Sequence, residues 1–146
     1  VITKDGIAVS VNMKTQITGG EEEQVITLSA DGRIFKKDVG LYLQFKEETE
    51  EVGSVNQVVK LDDNQTITII RQGAVSMKQL FQQGIKSEGV YRSPFGIMLM
   101  NTETKYININ IDEQKVEGTI RISYQLHMQD EFAGNYDITI QFRRND

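Results

Sequence analysis

Residues 119–128, TIRISYQLHM, alternate without a break. Ile120, Ile122, Tyr124, Leu126 and Met128 hold one parity, and Thr119, Arg121, Ser123, Gln125 and His127 hold the other. Residues 136–143 repeat the device, with Tyr136, Ile138, Ile140 and Phe142 against Asp137, Thr139, Gln141 and Arg143. Successive side chains of a strand point to opposite faces, so such segments are strands with one dry and one wet face. Strands wet on one side belong to antiparallel sheets.

The same period recurs upstream. Ile7, Val9, Val11 and Met13, with Ile17 beyond them, share a parity, as do Ile26, Leu28 and Ala30, then Leu41, Leu43 and Phe45, Val59 with Leu61, and Ile67 with Ile69. About ten segments of this kind stand between clusters rich in Gly, Asp and Asn: TGGEEE, ADG, EVGS, LDDNQ, SEG, IDEQKVEG and QDEFAGN, each read as a turn. Pro94, the one proline, precedes the apolar run Ile97–Met100, where a strand can start without that N–H. Strands at this spacing, each with one apolar face, make a sandwich or a barrel, and closure removes the exposed edges. The expectation is all-β: a single antiparallel up-and-down barrel of about ten strands over residues 1–146.

MKQLFQQG, residues 77–84, fits two periods. Met77, Leu80, Phe81 and Ile85 would share a helix face; Val75, Met77, Gln79 and Phe81 would share a strand face. A helix of barely two turns is weak alone. Glycines at 73 and 84 and strand-like neighbours on both sides favour a strand.

Composition excludes several functions. The 146-residue chain is 38% hydrophobic, enough for one core. Its net charge of −5 and scattered Lys and Arg do not suit a phosphate-tracking surface, so nucleic acid is excluded as a partner. Glu21–Glu23 and EETEE, residues 47–51, read as solvated loops. Having no cysteine and one histidine, the chain offers no disulfide, no thiolate and no transition-metal set; no cofactor is expected, and a reducing cytoplasm suits it. No segment approaches the length of a membrane helix, and residues 1–20 alternate rather than forming the apolar block of a signal peptide. NQT, residues 64–66, reads as a hairpin turn rather than a glycosylation site, and Asp62-Asp63-Asn64 lacks the spacing of a calcium loop. Ser123 and His127 share a face but lie roughly 13 Å apart along a strand, which excludes a nucleophile–base pair there. The chain is not expected to be an enzyme.

Arg71-x-Gly73, Met77, Phe81 and Gly84, then YRSPFG (Tyr91–Gly96), Thr104, Gly118, Tyr124 and Leu126 resemble the YwiB-like family of small bacterial proteins, found mainly in Gram-positive organisms. The similarity runs from about residue 8 to 142 and is densest between 71 and 126. Ser93 stands where the family more usually has Thr. The resemblance implies a calycin-like barrel, similar to lipocalins and fatty-acid-binding proteins, with a strand at 77–84. It supplies no function, though calycins often hold apolar ligands inside the barrel. The Gly-x-Trp signature of lipocalins is absent, because the chain has no tryptophan. Arg121 and Tyr124 are three apart and so point to opposite faces, which removes the Arg-x-Tyr carboxylate clamp of fatty-acid-binding proteins.

Arg71 shares parity with Ile67 and Ile69, so a regular strand aims it into the barrel. There it either holds an anionic ligand, or it reaches solvent or an acidic neighbour. Gln79, Tyr91, Ser93 and Tyr124, with Tyr136, put polar tips on apolar faces; such tips orient a ligand or simply satisfy one another in an ordinary core. The expected function is non-covalent binding of a small apolar or amphipathic molecule, anionic if Arg71 holds its head, at Arg71, Gln79, Tyr91, Ser93 and Tyr124. The alternative is a filled barrel serving as an interaction module. Met98 and Met100, in a run apolar on both faces, are the expected contacts of a homodimer or a ligand portal, the alternative being that a loop covers them.

Overall fold

The computed structural model describes residues 1–38, 40–50 and 53–145. Among them the chain forms ten strands: β1 Ile7–Thr18, β2 Gln24–Lys37, β3 Gly40–Thr49, β4 Gly53–Leu61, β5 Ile67–Gly73, β6 Ser76–Phe81, β7 Lys86–Ser93, β8 Gly96–Asp112, β9 Glu117–Met128 and β10 Glu131–Arg144. Each pairs antiparallel with its neighbours in sequence, and β10 returns to β1, so the sheet is a closed up-and-down barrel. The alternation read from the sequence is the alternation observed. Val9 and Val11, Leu43 and Phe45, Ile67 and Ile69, and Ile120, Ile122 and Tyr124 are buried inside, while Asn12, Gln44, Lys46 and Arg121, of the opposite parity, face water. An apolar interior and a polar exterior invert the pattern of a membrane barrel. Among the described residues no helix is long and apolar enough to cross a membrane, which by itself says nothing of a barrel.

The stretch 77–84 is strand up to Phe81 and then turns. Gly84 N–H donates to Thr104 C=O at 2.9 Å and Thr104 N–H to Ile85 C=O at 3.1 Å, which ties this turn to β8. The expected turn at residues 62–65 is present, with the Asp62 carboxylate accepting the N–H groups of Asn64 and Thr66. Pro94 lies in the two-residue connection between the paired Ser93 and Gly96.

Two expected turns are absent. Asp31-Gly32 and Ser87–Gly89 lie inside β2 and β7. Their glycines serve close approach rather than reversal: a Cβ on Gly32 would lie 2.5 Å from Gln44 C=O, and one on Gly89 2.9 Å from Lys78 C=O. Of the EVGS turn, Glu51 and Val52 lie outside the described residues. β8 also slips register between Thr104 and Tyr106, so the inward parity passes from Met100, Thr102 and Thr104 to Ile107, Ile109 and Ile111.

The two ends of the barrel differ. The lower end carries the turns after β2, β4, β6 and β8 together with the N-terminal residues. Ile2 and Val116 are buried there and close the end against Val9, Ile34, Leu61 and Phe142. Val116 adopts φ 57°, an unfavourable conformation for a β-branched residue, and its complete burial offsets that strain. The upper end carries the turns after β1, β5, β7 and β9, and it is hollow.

Candidate ligand-binding site

The upper interior encloses a cavity of about 460 Å³. All five methionines of the chain line it: Met13, Met77, Met98, Met100 and Met128. Ile17, Ile26, Leu28, Ile69, Leu126 and Ile138 complete the apolar walls. Larger depressions exist on the outer wall, one of about 560 Å³ across β1 and β8–β10, but outward polar side chains such as Asn12, Asn110 and Gln141 line it. Concave, mostly apolar sites with few polar groups are the kind that hold small molecules, and the interior cavity is of that kind.

One wall is polar. Glu47, Gln57 and Arg71 project inward from the adjacent strands β3, β4 and β5. Arg71 Nη2 donates to Glu47 Oε2 at 2.8 Å, and Gln57 Nε2 donates to the same oxygen at 2.7 Å. The Glu47 and Arg71 side chains keep 17% and 20% exposure, whereas Gln57 is 3% exposed. Two atoms of the group, Gln57 Oε1 and Arg71 Nε, are buried without a hydrogen-bond partner. On β6, the strand next to β5, Gln79 Nε2 donates to Thr102 Oγ1 of β8 at 2.9 Å. Tyr124 stacks on Tyr136 at 5.1 Å and tilts against Phe81 at 4.9 Å, so an aromatic floor separates the cavity from the packed lower core. Burial pushes the Tyr124 phenol well above its ordinary value; Tyr136 adds to this, while a hydrogen bond from Gln79 and the charge of Arg71 pull the other way. Burial raises Tyr136 as well.

Of the residues singled out in the sequence, Arg71, Gln79, Tyr91 and Tyr124 converge on this cavity. Ser93 does not: its hydroxyl accepts the Phe95 N–H at 3.1 Å and shapes the hairpin turn. Arg71 is inside the barrel and paired with an acidic neighbour. Glu47 is that neighbour, and reading residues 47–51 as a solvated loop missed it. β3 runs on through Glu47 and Glu48, and Glu47 continues the inward parity of Leu41, Leu43 and Phe45. Gln57 was missed likewise, although it sits between the inward Val55 and Val59. Met100 is buried and Met98 faces the cavity mouth, so the outward residues of that run are Ile97 and Leu99. His127 lies on the outer face, edge-on to Phe132 at 5.5 Å.

Residues 11–140 match the family described as a domain of unknown function, DUF1934. The chain belongs to this family. It is 30% identical over 139 residues to the uncharacterized beta-barrel protein YwiB of Bacillus subtilis (strain 168), a match that spans 95% of each chain. The crystal structure of that organism's ywiB protein superposes with a TM-score of 0.84 at 27% identity, over 98% of this chain and 95% of the other. The family assignment carries the barrel with it. The chemistry of the cavity has to be argued from the residues.

Proposed function

We propose that the barrel binds a small apolar or amphipathic molecule non-covalently in its upper cavity, in the manner expected of a calycin-like fold. The observation that carries this reading is the hollow of about 460 Å³ walled by every methionine in the chain. That volume falls in the range of small-molecule sites, roughly 300–1,000 Å³. Unbranched, polarizable methionine side chains adjust to an irregular occupant better than Val or Ile can. Binding rather than conversion is proposed because the polar wall consists of a carboxylate and a guanidinium that satisfy each other, plus amides and phenols. None of these is an activated nucleophile held by a base. The proposed setting is the cytoplasm, where a cysteine-free chain has nothing to gain from oxidation.

The test is mass spectrometry of the purified protein under native and then denaturing conditions, followed by uptake of Nile red, a neutral apolar dye. Extra mass lost on denaturation, or dye fluorescence abolished by filling the cavity with Met128→Trp, supports the reading. A bare native mass together with no dye uptake overturns it.

A second reading has one observation behind it. The β7–β8 hairpin exposes Phe95, Ile97 and Leu99, at 88%, 60% and 56%. Apolar side chains gathered on one hairpin suit a protein interface, and a second copy of the chain is the proposed partner. A native mass of twice the chain that Leu99→Ser returns to one chain would support it.

A further inference from the structure

We infer that the tip of the β7–β8 hairpin docks the barrel, mouth first, on a zwitterionic lipid surface. The docking stands on the hairpin itself. That it serves to load or unload the cavity rests on the proposal that the cavity binds an amphipathic molecule.

The hairpin ends in Pro94 and Phe95, between the paired Ser93 and Gly96. The Phe95 ring stands almost wholly in water, and Ile97, Met98 and Leu99 follow it along β8. Exposed apolar side chains gathered in this way mark a surface that meets something apolar. The tip is convex, so a protein would need a pocket to receive it, whereas lipid closes around a wedge. Its backbone is also prepared for a medium without water, where an unsatisfied N–H is costly. Pro94 has no N–H, and the Phe95 N–H is taken by Ser93 Oγ at 3.1 Å. Behind the tip, Gln129 holds both the N–H and the C=O of Leu99. A two-residue tip enters the head-group region and spans nothing.

The charges beside the hairpin select the kind of lipid. Arg92 is opposite Ile97 on β7, and Asp130 and Glu131 follow Gln129 on the β9 side. All three are exposed. A guanidinium on one flank and two carboxylates on the other match the phosphate and the ammonium of a zwitterionic head group. An anionic surface would instead meet Asp130 and Glu131, with Glu21–Glu23 in the turn after β1, as like charges. The hairpin is also continuous with the cavity. Met98 is exposed beside Ile97 and lines the cavity, and Ile26 on β2 does the same, so an apolar path runs from the interior to the rim. An amphipathic molecule can follow that path between lipid and barrel without its tail crossing water.

The test is sedimentation of the full chain with vesicles of phosphatidylcholine and, separately, of phosphatidylglycerol. Sedimentation with phosphatidylcholine is expected, and weaker sedimentation with phosphatidylglycerol at low salt. Phe95→Ser should reduce binding to phosphatidylcholine about tenfold or more, as withdrawing one large apolar side chain from lipid would. It should leave Nile red uptake without vesicles unchanged, because Phe95 does not line the cavity. Phe95→Trp gives a second readout, since the chain has no tryptophan of its own. Its emission should shift to the blue when phosphatidylcholine vesicles are added. Thermal unfolding checks that Phe95→Ser folds; if it does not, the emission of Phe95→Trp decides the matter. No sedimentation with phosphatidylcholine, sedimentation that Phe95→Ser leaves intact, stronger binding to phosphatidylglycerol, or an unshifted emission each overturns the inference. A native mass of twice the chain that Phe95→Ser returns to one chain, with no vesicle binding, overturns it in favour of a second copy. Vesicle binding without Nile red uptake overturns the cavity reading and leaves the docking standing.

Discussion

The lower and upper halves of this barrel are made from the same strands, yet they are filled in different ways. In the lower half the inward positions of β1, β2, β5, β6, β9 and β10 are Val9, Val11, Ile34, Ile67, Phe81, Ile120 and Ile140, all with essentially no exposure. In the upper half the same strands, with β3 and β4, turn inward Met13, Glu47, Gln57, Arg71, Met77, Gln79, Tyr124 and Tyr136 around a cavity. Branched aliphatic side chains pack a fixed interior, whereas flexible thioethers and paired polar groups suit an interior that accommodates something else. Stability and binding are thus assigned to opposite ends of one sheet, with the Phe81–Tyr124–Tyr136 stack as the boundary.

The strongest way to break that comparison is to remove a side chain from each half. Phe81→Ala deletes a fully buried ring at the boundary and should cost about 3–5 kcal/mol, read from urea unfolding. Met77→Ala, on the same strand but lining a space that is already hollow, should cost well below that range. Equal losses at the two positions would mean that the upper half is as tightly packed as the lower.

Next in size is the polar wall. Arg71→Leu leaves the Glu47 carboxylate with Gln57 as its hydrogen-bond donor in a mostly dry site. Breaking a fully buried pair costs roughly 3–5 kcal/mol; because both side chains keep some exposure, about 1–2 kcal/mol is expected here. Adding Glu47→Leu to Arg71→Leu should restore most of the loss, since no buried charge then remains. A double variant no more stable than Arg71→Leu would show that the pair acts through packing rather than charge.

The contrast between the halves also marks what could be read from the sequence. Strand existence, facing and closure were legible because one residue of register decides whether a whole row of side chains is wet or dry, and the rows hold from Val9 to Phe142 apart from the slips in β8 between Thr104 and Tyr106 and in β10 between Phe132 and Gly134. The two turns wrongly expected at Gly32 and Gly89 show the limit of glycine as a signal. The residue marks either a reversal or a close approach of neighbouring backbone, and only the partner strand distinguishes them. In the site, Arg71, Gln79, Tyr91 and Tyr124 were found by parity, and Glu47 and Gln57 obey the same parity. Glu47 was missed because its charged neighbours Glu48, Glu50 and Glu51 made the segment look like solvent-exposed loop, so composition overrode periodicity. Ser93 went the other way: its parity matched Tyr91, but a strand end is where a hydroxyl serves the turn. The polar tips in the sequence left a cavity and a filled barrel both open, because hollowness depends on the distance between strands that face each other across the barrel.

The aromatic boundary predicts a pH dependence with a definite sign. Burial raises both Tyr124 and Tyr136, so above the ordinary phenol value near pH 10 the unfolded chain releases protons that the folded chain retains. The stability they contribute is fully present below about pH 10 and falls as pH rises beyond it, on the order of 1 kcal/mol for Tyr124 over the first pH unit. Urea unfolding between pH 8 and pH 11 measures this, and Tyr124→Phe should flatten the slope. An unchanged slope in Tyr124→Phe would place the titration elsewhere.

The smallest effect tests the finest contrast, between two consecutive residues. Met98 points toward the cavity and Leu99 points outward, with Leu99 N–H donating to Gln129 Oε1 and Leu99 C=O accepting from Gln129 N–H. Both of those bonds use the Leu99 backbone, so Leu99→Ser keeps them and alters only an exposed side chain. Its effect on stability should stay within about 0.5 kcal/mol, as for surface positions generally, and Nile red uptake should not change. Met98→Ser should be as mild for folding, because Met98 is itself 38% exposed, but it places a hydroxyl in the apolar lining and should weaken dye uptake. Opposite outcomes at adjacent positions would tie binding to the interior face of β8. Weakened uptake in Leu99→Ser would instead bring the outer face of the β7–β8 hairpin into the site, and a change in native mass there would point to a second copy of the chain.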